Sequence, residues 1–115
     1  MSITRFKLVF FSPKESTSKI LDHLFRTFPK ELGNIGDYEQ CAFVTRGTGQ
    51  FRPKQSANPT IGAPGQLEFV EEDRVELVVS DMTGEREELK KAIKELKTIH
   101  PYEEVAYDVY KLEDL

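Results

Sequence analysis

The sequence predicts an α+β fold in which two βαβ halves share one antiparallel sheet. Three observations carry that prediction. Two stretches place apolar residues at helical spacing, at Ile20–Phe28 and Leu89–Ile99. The strand-like segments alternate apolar and polar residues with period two. The elements follow one another as β-α-β-(β)-β-α-β, the order of a split βαβ.

The first strand is "RFKLVFF" (Arg5 to Phe11), rich in aromatic and branched residues. "SPKE" follows, with the S-x-x-E spacing of a capping box and proline at a first helical position, which predicts that the helix starts there. Ile20, Leu21, Leu24, Phe25 and Phe28 form its apolar stripe, and Pro29 and Gly33 close it. "GDYEQCAFVTRGTGQFRP" (Gly36 to Pro53) reads as a strand whose "GTG" centre lets the chain turn or bulge. "KQSANPTIGAPG" (Lys54 to Gly65) holds two prolines and two glycines and reads as an ordered loop. "RVELVVS" (Arg74 to Ser80) is a strand with Val75, Leu77 and Val79 on one face. Asp81 is placed to cap the second helix, with Glu85, Glu87 and Glu88 near its positive end. Lys90, Lys91, Lys94 and Lys97, mixed with glutamates, form that helix's solvated face. Pro101 ends the helix, and Val105, Tyr107 and Val109 alternate in a last strand.

Right-handed crossovers put both helices on one face of such a sheet, the ferredoxin-like plait. The other face stays open. Ala42, Val44, Glu76, Val78, Ala106, Asp108 and Tyr110 are its expected residues, several of them apolar, so an oligomer is expected to cover it.

The totals narrow the function classes. A chain of 115 residues makes one domain, residues 1–115, able to bury about two thirds of its unfolded surface. A net charge of −4 without a basic stripe argues against nucleic acid as a partner. The longest apolar run, "LVFF", is far too short for a membrane span. One cysteine, Cys41, excludes an internal disulfide, and with no signal-peptide pattern the expected location is the cytoplasm.

The chemistry-bearing residues gather in two places. "HPYEE" (His100 to Glu104) offers an imidazole with two carboxylates, able to hold copper or zinc, to touch a small molecule, or simply to hinge helix and strand. The hinge reading needs only that His100 face the negative end of the helix. On a strand Glu103 and Glu104 would point to opposite faces and could not act as a catalytic pair. "RGTGQF" lacks the lysine and hydroxyl of a phosphate loop, so Gly47, Thr48 and Gly49 are read as conformational, with ligand approach as the alternative. Arg52, beside Phe51, could grip a carboxylate or phosphate. Cys41 reads as packing and His23 as an exposed histidine without a role. No serine or cysteine stands in a nucleophile setting, which argues for a non-enzymatic protein.

Three blocks together, "GDYEQCAFVTRGTGQFRP", "ANPTIGAPGQLEFVEEDRVELVV" and "HPYEEVAYDVY", resemble the GTP cyclohydrolase one type two-like family, also called Nif-three-like or YqfO. The resemblance implies a segment inserted in a larger protein whose outer halves build a dinuclear metal site. His23 and His100 cannot supply such a site, so hydrolase chemistry does not carry over to what reads as a stand-alone domain. The inserted domain looks like CutA and PII proteins, and "HPYE" resembles a motif that CutA proteins carry at the same junction. That likeness implies a homotrimer with ligands near subunit clefts. The expected function is therefore a small-ligand or ion-binding, regulatory module using Gly47, Thr48, Gly49, Arg52, His100, Tyr102, Glu103 and Glu104. The alternatives are an accessory protein that docks a protein partner, or a divalent-metal tolerance factor with His100 as ligand. No cofactor is implied beyond that divalent metal ion.

Overall fold

The computed structural model describes residues 3–115. Its elements are β1 (Thr4–Pro13), α1 (Thr17–Thr27), β2 (Phe43–Phe51), β3 (Glu68–Asp81), α2 (Glu87–Ile99) and β4 (Tyr107–Lys111). One four-stranded sheet runs β2-β3-β1-β4, with every neighbouring pair antiparallel. This is the expected ferredoxin-like plait.

Register fixes the two faces. Phe6, Leu8 and Phe10 of β1 stand opposite Val79, Leu77 and Val75 of β3, and all six are buried. Ile20, Leu24 and Phe25 of α1 and Leu89, Ala92 and Leu96 of α2 close over them as one apolar core. Each of these side chains larger than alanine contributes about 1.5–3 kcal/mol by leaving water. Alternation then sends Val9, Phe11, Glu72, Glu76 and Val78 to the opposite, open face. At the surface His23 Nε2 lies 2.9 Å from Glu95, so the histidine expected to have no role links the two helices.

Four local expectations are corrected. The helix after "SPKE" does not start there, because Ser12 and Pro13 continue the ladder of β1 against Asp73 and Glu72. The chain turns through Ser16 N–H to Pro13 O, and the helix begins at Thr17. The "GTG" does not turn or bulge either: β2 pairs continuously with β3 from Phe43 to Phe51. Asp81 is too far from α2 to cap it. Its carboxylate instead accepts the amides of Thr83, Gly84 and Arg86, and that turn delivers the chain to Glu87. Val44 pairs with the core-facing Val75, so Phe43, not Val44, belongs to the open face; Ala42 precedes the strand. Cys41 is half-buried ahead of β2, where its amide donates to Gly33 O.

A polar network ties four elements at the start of α1. Asp73 on β3, only 2% exposed, accepts from Thr17 Oγ1 at 2.6 Å and from Arg46 Nε of β2. Because the Thr17 proton goes to Asp73, the Ser12 hydroxyl donates to Thr17, also at 2.6 Å. Burial pushes the Asp73 carboxyl up, but the hydrogen bonds from Arg46 and Thr17 and the arginine's charge outweigh it and hold it below the usual range. Asp73→Ala leaves the buried Thr17 hydroxyl proton and Arg46 Nε without their acceptor and is expected to cost about 1–3 kcal/mol. Urea unfolding checks this: the midpoint falls at an unchanged slope.

Candidate functional site

β2 and β3 extend past the helices as a long hairpin, and the Lys54–Gly65 loop leaves its end. The loop is fastened at four points. Arg52 Nε donates to Gly65 O at 3.2 Å, and Gly65 N–H to Pro53 O at 2.7 Å. The Asn58 amide donates to both oxygens of Glu103 at 3.1 and 3.3 Å, and Thr60 Oγ1 to Pro101 O at 2.8 Å. The last two bonds lay the loop against the turn that follows α2. Between loop, turn and open sheet face lies a cavity of about 510 Å³. Phe11, Phe51, Pro53, Pro59, Ile61 and Ala106 give it apolar walls, while Glu72, Tyr102, Glu103, Glu104 and Arg52 are its charged and phenolic groups.

His100 sits beneath this cavity, 6% exposed, at the C-terminus of α2. Its Nε2 is 2.7 Å from Phe11 O, and its Nδ1 accepts the Tyr102 amide at 3.1 Å. A carbonyl can only accept, so Nε2 carries the proton and the ring is neutral with both nitrogens engaged. In this arrangement both ring nitrogens are taken up by protein partners. Among the described residues no group of three or more His, Cys, Asp or Glu side chains is placed to hold a metal ion. Burial pushes the His100 pKa down, against the smaller opposing effects of the Phe11 carbonyl and the Glu72 charge.

Tyr102 stands edge-on to His100, ring centroids 4.9 Å apart, and its hydroxyl donates to Glu72 Oε2 at 3.0 Å. Burial first, then the Glu72 hydrogen bond and charge, raise the phenol's pKa, so it remains a neutral donor. Phe51 lies 6.5 Å from Tyr102, tilted 48°.

Of the residues singled out in the sequence, Gly49, Arg52, Tyr102, Glu103 and Glu104 line the cavity. Gly47 and Thr48 lie on the hairpin away from its wall, and His100 braces it from below. Glu103 and Glu104 converge on the same space because residues 101–104 form a turn, not a strand. Gly49 has no left-handed backbone; its role is volume, since a Cβ there would lie 1.8 Å from Glu72 Oε1. Phe11, Glu72 and Ile61 were missed. The strand read from the sequence begins at Arg74, whereas β3 starts at Glu68, so that reading does not place Glu72 on the open face, and nothing in the sequence signals its contact with Tyr102.

No family model matches the chain. Over 107 residues, 93% of the chain, it is 41% identical to a "GTP cyclohydrolase 1 type 2 homolog" of Halalkalibacterium halodurans and 40% identical to that of Bacillus subtilis. It spans only about a quarter of these relatives, 27% and 26%. Among solved structures, a Bacillus cereus protein related to NIF3 superposes with a TM-score of 0.77 at 36% identity, over 99% of this chain and 27% of that one. CutA1 of Ehrlichia chaffeensis, a divalent ion tolerance protein, superposes with a TM-score of 0.67 at 14% identity, over 100% of this chain and 87% of that one. The resemblance read from three sequence blocks is thereby borne out, and the CutA likeness is one of fold.

His100 generates a prediction about pH. Its folded pKa is depressed, so the unfolded chain takes up the proton first. Stability is full above the ordinary value of about 6.5 and falls as pH drops below it, until the folded form also protonates. His100→Ala is expected to cost about 1–3 kcal/mol at pH 8, through the orphaned Phe11 carbonyl and Tyr102 amide. Urea unfolding between pH 8 and 5 should also show a shallower loss of stability in the variant. An unchanged pH slope would assign it to another group.

Proposed function

We propose that this chain is a non-enzymatic, self-associating module that binds a small molecule in the cavity between the hairpin loop and the turn after α2. The observation that carries this reading is the fastening of the loop by Glu103 and the Pro101 carbonyl. A wall held in place before binding costs a ligand little ordering. The cavity's size falls within the range of about 300–1,000 Å³ common for ligand sites, and its mix of apolar wall and a few polar groups fits the same pattern.

Self-association is supported by the open face. Phe43 is 66% exposed and Tyr110 51%, both on the side of the sheet that no helix covers. The homotrimer implied by the CutA and PII resemblance is the assembly we propose, with the ligand acting as its regulatory signal. The resemblance also suggested a divalent ion, but the engaged nitrogens of His100 favour an organic ligand over a metal.

Native mass spectrometry of protein purified from its own host, without chelator, tests both parts. The expected result is a trimer with a reproducible extra mass, and loss of that mass on Ala57→Trp, which fills the cavity. A trimer that never carries a ligand refutes the binding role. Phe43→Glu is expected to release monomers. A wild-type monomer that co-purifies with another polypeptide favours the docking reading of the open face.

A further inference from the structure

The cavity's charge and aromatic content say what kind of ligand it suits. Three carboxylates line it, Glu72, Glu103 and Glu104, against the single guanidinium of Arg52. Glu103 is committed to holding the loop, since its two oxygens share the Asn58 amide. Arg52 is turned toward the loop by its bond to Gly65 O. Glu72 is held differently. Tyr102 fixes Oε2, while Oε1 lies in the space that the missing side chain of Gly49 leaves free. That oxygen retains acceptor capacity at a wall made of Phe51 and Tyr102. One aromatic of this region already engages a cation: the Arg74 guanidinium lies 5.8 Å from the centre of the Phe11 ring. The faces of Phe51 and Tyr102 carry no such partner among the described residues.

We propose that the cavity takes an organic cation, a flat apolar body bearing one ammonium group. The ammonium donates to Glu72 Oε1 and the body lies among Phe51, Tyr102 and Ile61. A positive charge gains there from a charge-assisted hydrogen bond and from the negative faces of the rings. An anion would meet Glu72 and Glu104 with only Arg52 to offset them. For a metal ion, no three His, Cys, Asp or Glu side chains among the described residues are placed to converge on one point. This inference rests on the cavity being the ligand site and adds the sign of the ligand's charge.

Three probes with one ring system decide it: tryptamine, indole-3-acetate and the neutral indole-3-ethanol, titrated calorimetrically into the full chain. Tryptamine is expected to bind at least tenfold tighter than the other two. Glu72→Gln keeps the size of the side chain and an oxygen for Tyr102, and should bring tryptamine down to the level of the alcohol. Lys90→Gln, exposed on α2 and outside the cavity, should leave tryptamine binding unchanged. Retained tertiary circular dichroism of both variants shows that they fold. Tighter binding of the acetate, or an undiminished tryptamine preference in Glu72→Gln, overturns the cation proposal while leaving the cavity as a site. No binding by any probe, or binding that survives Ala57→Trp, overturns the cavity reading and this inference with it.

Discussion

The site depends on one imidazole. His100 joins the end of β1 to the turn after α2, giving its Nε2 proton to Phe11 O and taking the Tyr102 amide on Nδ1. Those two bonds set where Tyr102 stands, and Tyr102 in turn sets Glu72. They also fix the turn against which the loop fastens through Glu103 and Pro101. The proline beside His100 stops the helix at Ile99, and the histidine aims the next residues back across the sheet. Both groups it satisfies are backbone groups drawn out of water, where an unpaired donor or acceptor is costly. In this structure the imidazole of the "HPYEE" cluster serves as a brace.

How far the sequence disclosed this depends on the range of each interaction. The core was legible because period two and period 3.6 are local. Val75, Leu77, Val79, Leu89, Ala92 and Leu96 were assigned correctly from spacing alone, and all are buried. The helix starts were not, because tertiary ties overrode local rules. Ser12 matches a capping box, yet its hydroxyl is engaged by Thr17 within the Asp73 network, and the ladder to β3 holds Pro13 in the strand. Part of the cavity was legible as well, through Gly49, Arg52, Tyr102, Glu103 and Glu104. The contacts that escaped span the chain, such as Tyr102 to Glu72 and Asn58 to Glu103. No spacing rule connects residues 30 or 45 positions apart.

Gly49 illustrates how a correct residue can be chosen for the wrong reason. Paired glycines in a strand suggest a bulge, since glycine frees the backbone. Here the backbone of β2 is regular, and glycine supplies instead the absence of a side chain on the face where Glu72 needs room. The same sequence signal therefore has two physical readings, backbone freedom and empty volume. Only the partner strand's register distinguishes them, and register belongs to the fold.

Glu72 and Asp73 are neighbours in sequence and show how a strand separates structure from site. Alternation sends Asp73 toward the helices, where Thr17 and Arg46 saturate it and burial makes any vacancy expensive. It sends Glu72 to the open face, where Tyr102 takes one oxygen and the other meets only the gap left by Gly49. An acid whose acceptors are filled by its own chain holds the fold together and has little to offer a ligand. An acid held rigidly by one oxygen, with the other uncommitted beside aromatic rings, is oriented at no further ordering cost when a donor arrives. Two chemically similar side chains thus do different work because a pleat turns them to opposite sides. The hairpin that carries both is anchored by Asp73, and that anchoring also fixes the place of Glu72.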